Sequence, residues 1–396
     1  MTAPLRVCIW SSGFQADTQA LALALAAEPG MELTVALPEP ARYLAEPVNR
    51  FLPLQARLLD RATPGLAKAL AREGFDLLIV DNHLPEVAIA PRLFVLWHGF
   101  GWRIDDLSTM RRELGKLVGD VTRPNPRFRW QAVGAWDRDY RIRHSGLAPE
   151  NVVAFGSAYS DLLLPGHQPL DRAALAALAA DRYAVDLSRP LVLLGLTWHH
   201  GAALAQWGDD AALLARLFAH VESLGAGVLL RMHDRHRFEP AYLRQLEAAI
   251  AGRPGVQLRF KDEHPDSLVD LLLADVLVSN YSSLLNAWYH TGKPSVHLDP
   301  HAPGQAVYQY RRWKGGRLRA ETRKRAEEVW KLDPGEIGGL RAQSFDEALA
   351  QVARGLAEPG CCTAAARGFT DRYVLGADGG TRARMLAFLR EWLAGR

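Results

Sequence analysis

The chain has 396 residues, 48% of them hydrophobic and 23% charged, with a net charge of +3; it can bury the cores of two domains and is too apolar to be disordered. No apolar run approaches the ~18 residues of a membrane span. The three cysteines, Cys8 and the adjacent Cys361 and Cys362, give neither a disulfide framework nor a metal-ligand spacing, and the opening MTAPLRVCIWSSG runs into a strand without signal-peptide architecture, so a cytoplasmic protein is expected.

Apolar, β-branched runs alternate with helical patterns, the mark of a parallel α/β architecture. In the first half strands are expected at 5–10, 32–37, 76–80, 92–97, 130–134 and 151–155, with helices such as 17–27, 64–73 and 135–144 between them. From 156 to 188 the chain changes character: Gly and Pro crowd its start, an Ala/Leu helix follows, and Pro190 comes just after it, as expected of a linker. The alternation then restarts, with strands expected at 191–195, 226–231, 256–260, 275–279 and 294–298 and helices at 209–223, 240–251, 266–273 and 282–291. Amphipathic helices at 344–357 and 380–394 are expected to close the chain. The expected division is a first Rossmann-like domain over 1–165, a linker over 166–188, a second Rossmann-like domain over 189–375, and a final helix over 376–396 packing back on the first. Two doubly wound domains facing across a cleft bind ligands beyond the carboxyl ends of their strands.

Positive charge gathers between Arg311 and Arg325, with Arg312, Lys314, Arg317, Arg319, Arg323 and Lys324 around Trp313. Interspersed Glu321, Glu327 and Glu328 leave two readings open, a solvated helix face or a patch for a polyanion or an anionic membrane surface. Nothing in the pattern calls for nucleic acid. Asp137-Arg138-Asp139 forms an Asp-x-Asp triplet, but within a helical pattern rather than at a strand end.

Three strand ends carry chemistry. At Ser279-Asn280-Tyr281-Ser282-Ser283 a buried strand meets a helix start, where unpaired N–H groups and the positive end of the macrodipole suit either a serine cap or a phosphate. Val228-Leu229-Leu230-Arg231-Met232-His233 delivers a guanidinium and an imidazole to a strand end; the first matches phosphate oxygens and the second can donate to a leaving phosphate. His233 and His236 lack further ligands nearby, and no metal is expected. Phe94-Val95-Leu96-Trp97-His98-Gly99 ends another strand in a histidine whose ordinary pKa suits a general base, and Gly99 allows close backbone approach.

Taken in order, Trp97-His98-Gly99, Gly156-Ser157-Ala158-Tyr159-Ser160-Asp161, Leu196-Thr197-Trp198-His199, Arg231-Met232-His233-Asp234, Ala274-Asp275 through Asn280-Tyr281-Ser282-Ser283, Gly292-Lys293-Pro294 and Asp378-Gly379-Gly380 through Arg384 resemble the CDP-glycerol glycerophosphotransferase family of teichoic-acid and capsule synthesis, over about residues 92–390. The resemblance implies a GT-B fold and a transferase that moves glycerol phosphate, or a related alditol phosphate, from a CDP-linked donor to a hydroxyl of a polymer or lipid-linked acceptor, releasing CMP without a cofactor. It implies His98 and His233 as catalytic groups, Arg231, Ser282, Ser283, Asn280, Thr197 and Trp198 around the donor, and Gly99 and Arg103 on the acceptor side. A lipid-linked acceptor would bring the enzyme to the cytoplasmic face of the inner membrane. The chain departs from the family pattern at Asn280, which replaces an aspartate, at Met232 and Asp234, which replace prolines, and at His199, which replaces an arginine. The alternatives are a GT-B glycosyltransferase using a CMP- or UDP-sugar, for which His264-Pro265 could serve, a nucleotide-sugar epimerase, and a non-catalytic relative that only binds nucleotide or polyanion.

Overall fold

Continuous apolar runs such as Leu77–Val80 (LLIV) and Leu191–Gly195 (LVLLG) are buried along their whole length, as strands covered by helices on both sheet faces must be. The computed structural model describes residues 3–81, 83–96, 108–196, 204, 207–233, 240–280, 282–298, 307–314, 317–324, 332 and 335–395, with backbone alone for 108–109, 307–314 and 317–324.

The first sheet holds β1 (Leu5–Trp10), β2 (Met31–Leu37), β3 (Arg57–Asp60), β4 (Leu77–Val80), β5 (Arg92–Val95), β6 (Phe128–Ala132) and β7 (Val152–Ala154). All are parallel, in the order β3-β2-β1-β4-β5-β6-β7. Beyond it come β8 (Leu191–Gly195), β9 (Gly227–Met232), β10 (Val256–Phe260), β11 (Val276–Ser279), β12 (Ser295–Leu298), β13 (Val307–Lys314), β14 (Arg317–Lys324) and β15 (Leu340–Ala342). The second sheet is again parallel, ordered β10-β9-β8-β11-β12-β15. In each sheet the chain steps outward over three strands and then returns to the other side of the first. The order therefore reverses between β1 and β4 and between β8 and β11, and an unfilled crevice opens at each reversal. This is the expected doubly wound, two-sheet GT-B-like architecture.

One apolar core crosses between the sheets. It joins Leu21 and Leu25 of the helix Ala16–Ala26 and Phe155, Tyr159 and Leu162 of the first half to Leu268, Leu271 and Trp288 of the second and to Met385 and Leu389 near the end of the chain. The helix Thr363–Tyr373 leans on the second half through Phe369 against Tyr289, ring centroids 4.7 Å apart. The chain then crosses back. Gly134 must lack a Cβ because the Tyr373 carbonyl oxygen occupies that space. The buried Asp161 carboxylate accepts from the N–H groups of Thr381 (3.1 Å) and Arg382 (2.7 Å) and so caps the helix Thr381–Leu393. Trp392 Nε1 donates to Pro126 O (2.8 Å), and Arg92 Nη1 donates to Leu393 O (2.8 Å), which fixes the far end.

Several elements depart from the expectation. β3, β15 and the helices Ser108–Val118 and Thr363–Tyr373 were not anticipated. Over its described residues the basic stretch is strand, not helix: β13 and β14 form a two-stranded antiparallel pair, with Arg312 opposite Arg319 and Lys314 opposite Arg317. Val307, Tyr308, Tyr310, Trp313 and Thr322 favour the extended chain there. Among the described residues no helix is long and apolar enough to cross a membrane.

Asp161→Ala should remove the cap that ties the final helix down and destabilise the protein by about 2 kcal/mol. A fall in Tm of about 2–4 °C, with faster amide exchange over 381–393, is the expected outcome; unchanged exchange there would show that packing alone holds the helix.

Candidate functional site

Both reversal points open into one cleft of about 440 Å³. From the first sheet it takes Ser12 and Gly13 after β1, Asp81 and His83 after β4, and Ser157 and Tyr159 after β7. From the second it takes Gly195 and Leu196 at and after the end of β8, Met232 and His233 at and after the end of β9, Lys261 after β10, and Ser282 and Ser283 after β11.

On the first wall Asp81 organises the loops at the reversal. Its Oδ2 accepts from Ser12 N (2.6 Å), Ser12 Oγ (2.7 Å) and Ser11 Oγ (3.1 Å), while Oδ1 accepts from His83 N (2.8 Å). His83, half exposed, has its Nδ1 3.8 Å from the same carboxylate. Val95 at the end of β5 pairs with Val80, one residue before Asp81. Asp17 is buried at the start of the helix Ala16–Ala26 and accepts from Ser157 Oγ (2.6 Å), Tyr159 N (2.8 Å) and Gln131 Nε2 (3.1 Å). Burial raises its pKa above the ordinary value, against those three hydrogen bonds. Ala16 beside it has φ of +53°, a left-handed conformation that costs about 1–2 kcal/mol and turns the chain into the cleft.

The second wall is charged. Arg231 reaches the end of β9, but its guanidinium is already engaged: Nη1 donates to Asp270 Oδ2 (2.6 Å) and Nη2 to His264 O (2.8 Å). Asp270 also accepts from Tyr183 OH (2.5 Å) and pairs with Arg259 Nε (3.1 Å). Burial alone would push the Asp270 carboxyl up; Arg259 and Arg231 outweigh it and hold the group below the ordinary value. The network continues across the domain boundary to Glu46, which meets Arg182 (3.1 Å), His264 Nδ1 (3.5 Å) and Arg259 (3.7 Å). His264, the residue on which the CMP-sugar alternative leans, is thus turned toward Glu46. Gln19 Nε2 donates to Asp266 Oδ1 (3.0 Å), and Tyr159 OH lies 3.0 Å from Ser267 Oγ. Asp266 also accepts from the N–H groups of Leu268 and Val269, both 3.2 Å away, capping the helix Leu268–Leu273. Burial, with Glu46 and Asp270 nearby, pushes its pKa up to about 6.

Lys261 brings an ammonium across the cleft to Gly13: a Cβ at Gly13 would stand 3.1 Å from Lys261 Nζ. At β11, Ser279 Oγ donates to Gly195 O (2.5 Å) and so joins the two strands of the reversal. Ser282 Oγ accepts from Leu284 N (3.2 Å) and starts the helix Leu284–Tyr289.

No protein-family model and no curated protein sequence matches the chain. Solved structures do. The wall teichoic acid polymerase TagF superimposes with a TM-score of 0.68 at 11% identity, covering 100% of this chain and 90% of that one. A glycosyltransferase from Rickettsia africae gives 0.51 at 10% identity over 99% of both chains. MnaA of S. aureus, solved with UDP, gives 0.56 at 12% identity over 98% of this chain and 97% of its own. At these identities the likeness is one of fold. It is the fold that the motif resemblance implies.

Of the residues singled out in the sequence, Arg231, His233, Ser282 and Ser283 line the cleft together. Asn280 is buried at the end of β11, 2% exposed. His98, Gly99, Arg103, Thr197 and Trp198 lie outside the described residues. Sequence reasoning passed over Ser12, Asp81, His83 and Lys261, although Trp10-Ser11-Ser12-Gly13 and Val80-Asp81-Asn82-His83 carry the same signal as the chosen segments, polar residues following a buried strand.

Arg231→Met would leave one side of the buried Asp270 without its partner, and a loss of about 3 kcal/mol is expected, read as a large fall in Tm with no ligand present; His233→Ala should cost much less. Equal Tm values for Arg231→Met and wild type would show that Asp270 is served by Arg259 alone. Asp266 has a folded pKa above its ordinary 3.8, so its contribution to stability is complete below about pH 4 and is lost as pH rises through about 6. Asp266→Asn should therefore lose less Tm than wild type between about pH 4 and pH 6.5; parallel curves would place the Asp266 pKa near its unfolded value.

Proposed function

We propose that the chain is a GT-B transferase that passes glycerol phosphate, or a related alditol phosphate, from a CDP-linked donor to a hydroxyl of a polymer or lipid-linked acceptor. The observation that carries the reading is the convergence of both sheet reversals on one polar cleft. There the Arg231–His233 strand end and the Ser282–Ser283 helix start stand together. The likeness to TagF supports it, since a form of that polymerase bearing H444N has been solved after soaking with CDPG. The order of the sequence motifs supports it independently.

In this reading the second half, over 189–375, holds the donor. Lys261 supplies positive charge to the diphosphate, and His233 and the backbone N–H groups of Ser282 and Ser283, ahead of the helix Leu284–Tyr289, supply donors. Arg231, held by Asp270, fixes the shape of that wall. The first half, over 1–165, presents the acceptor, with Gly99 and Arg103 beside it. His98 takes the proton of the acceptor hydroxyl as its oxygen attacks the β-phosphorus. A new P–O bond forms, the bond from that phosphorus to the bridging oxygen breaks, and CMP departs with the bridging oxygen. Positioning and charge stabilisation carry the rate, as in other phosphoryl transfers. An acceptor at the inner membrane surface would bring the β13–β14 pair, with Arg312, Lys314, Arg317, Arg319 and Arg323 on one face by register, to an anionic surface that attracts such charge.

Calorimetry with CDP-glycerol, CDP-ribitol, CMP-sialate and UDP-sugars tests the donor: a CDP-alditol should bind at least tenfold tighter than the others, and preferential binding of a UDP- or CMP-sugar would transfer the assignment to a glycosyltransferase. His98→Ala should lower turnover about 10²–10⁴-fold with donor affinity retained; near-normal CMP release by this variant would remove His98 from the role of base.

A further inference from the structure

The helix Leu284–Tyr289 shows the cleft one face, Ser283, Asn286, Ala287 and His290, spaced at i, i+3, i+4 and i+7. The opposite face is core, with Leu285 and Trp288 fully buried. His290 closes the face, and it is not an ordinary core histidine. It is 4% exposed, its Nδ1 is buried with no hydrogen-bond partner among the described residues, and no side-chain hydrogen bond to Nε2 is found there either. Buried ring nitrogens are nearly always satisfied, and an apolar side chain would fill the same space without that cost. The same cleft is lined by Val133 from the first half and by Phe369, Tyr373 and Val374 near the end of the chain, with Ala287 nearly one turn before His290; Phe369 packs on Tyr289, the residue before His290.

Burial lowers the His290 pKa to about 4, so the ring is neutral at working pH and offers one donor and one acceptor. That combination suits a hydroxyl, which both gives and takes a hydrogen bond, and does not suit a phosphate, which asks for donors and positive charge. The apolar and aromatic neighbours suit the carbon side of a polyol.

We propose that His290 is a specificity-determining residue that hydrogen-bonds a hydroxyl of a neutral, polyhydroxylated group held at this end of the cleft. The inference rests on the function proposed above and deepens it: diphosphate and polyol occupy opposite stretches of one helix face, Ser282 and Ser283 at its start and His290 at its end. The polyol belongs either to the donor or to the acceptor.

The test compares wild type, His290→Phe and His290→Gln. Binding of CDP and of CDP-glycerol is measured by calorimetry, and KM and kcat are measured for a soluble glycerol phosphate-terminated acceptor. If the donor polyol sits at His290, His290→Phe should lower the preference for CDP-glycerol over CDP about tenfold while CDP affinity stays put. If the acceptor polyol does, that preference should be unchanged and the acceptor KM should rise about tenfold with kcat little altered. In either case His290→Gln, which keeps a donor and an acceptor, should recover part of the loss and guards against a variant that merely fails to pack. Unchanged preference and unchanged KM in both variants, or parallel losses in CDP, CDP-glycerol and acceptor, would overturn the role of His290 while leaving the transferase assignment intact. A wild-type protein that binds neither CDP nor CDP-glycerol would sink the assignment, and this inference with it.

Discussion

The constraint on which the site depends is the reversal of strand order within each parallel sheet. The connections after β1 and β2 and those after β4 and β5 leave in opposite directions, so none covers the strand ends where they part. The same holds between β8 and β11. Placing two such sheets with their carboxyl ends facing turns two crevices into a single cleft. Polar residues that would be costly in either core, such as Ser12, His233 and Ser282, become tolerable there because the site is open to water and ligand, while the buried Asp81 is satisfied by the donors of Ser11, Ser12 and His83.

The domains are held to that geometry by charge as well as by apolar packing. Glu46 and Gln19 of the first half reach Arg182 in the linker and Arg259, His264 and Asp266 beyond it. Two buried arginines against Asp270 and Glu46 come close to mutual neutrality, which is how a protein buries several charges at tolerable cost. The chain itself passes twice between the halves, through 156–188 and again through Tyr373–Thr381, where Gly134 admits the crossing backbone and Asp161 receives the final helix. The segments 156–161 and 378–384, far apart in sequence, are thus one structural joint.

Much of this was legible beforehand because buried parallel strands announce themselves. LRVCIW, LLIV, LVLLG and VLVS are too apolar to be anything but central strands or core helix, and their shortness decides for strand. β3 escaped notice because Arg57–Asp60 is exposed or half-buried at every position, as an edge strand permits. The β13–β14 pair escaped because its charges masked the aromatic and β-branched residues set among them. In the site, strand-end position marked Arg231, His233 and the serines, but no one-dimensional pattern says that Asp270, thirty-nine residues further on, closes on Arg231. Nor does spacing alone separate His290 from the buried His297, whose Nε2 is satisfied by Tyr289 OH at 2.7 Å.

That pairing of Arg231 bears on how a doubly charged diphosphate would be held. A guanidinium with a carboxylate at 2.6 Å contributes little net field a few ångströms away, so charge stabilisation has to come from groups set nearer the opening. Lys261 on the Gly13 side, His233 beyond β9 and the N–H groups ahead of Leu284 are spread around the cleft in that way. The buried arginine instead sets the wall on which they stand, and its rigidity would be useful in the proposed transfer because preorganised dipoles need not reorient as negative charge builds on the bridging oxygen that leaves with CMP. A site built like this would separate the two demands on its cations: those in the interior hold the domains, and those at the rim are left for the ligand of the proposed reaction.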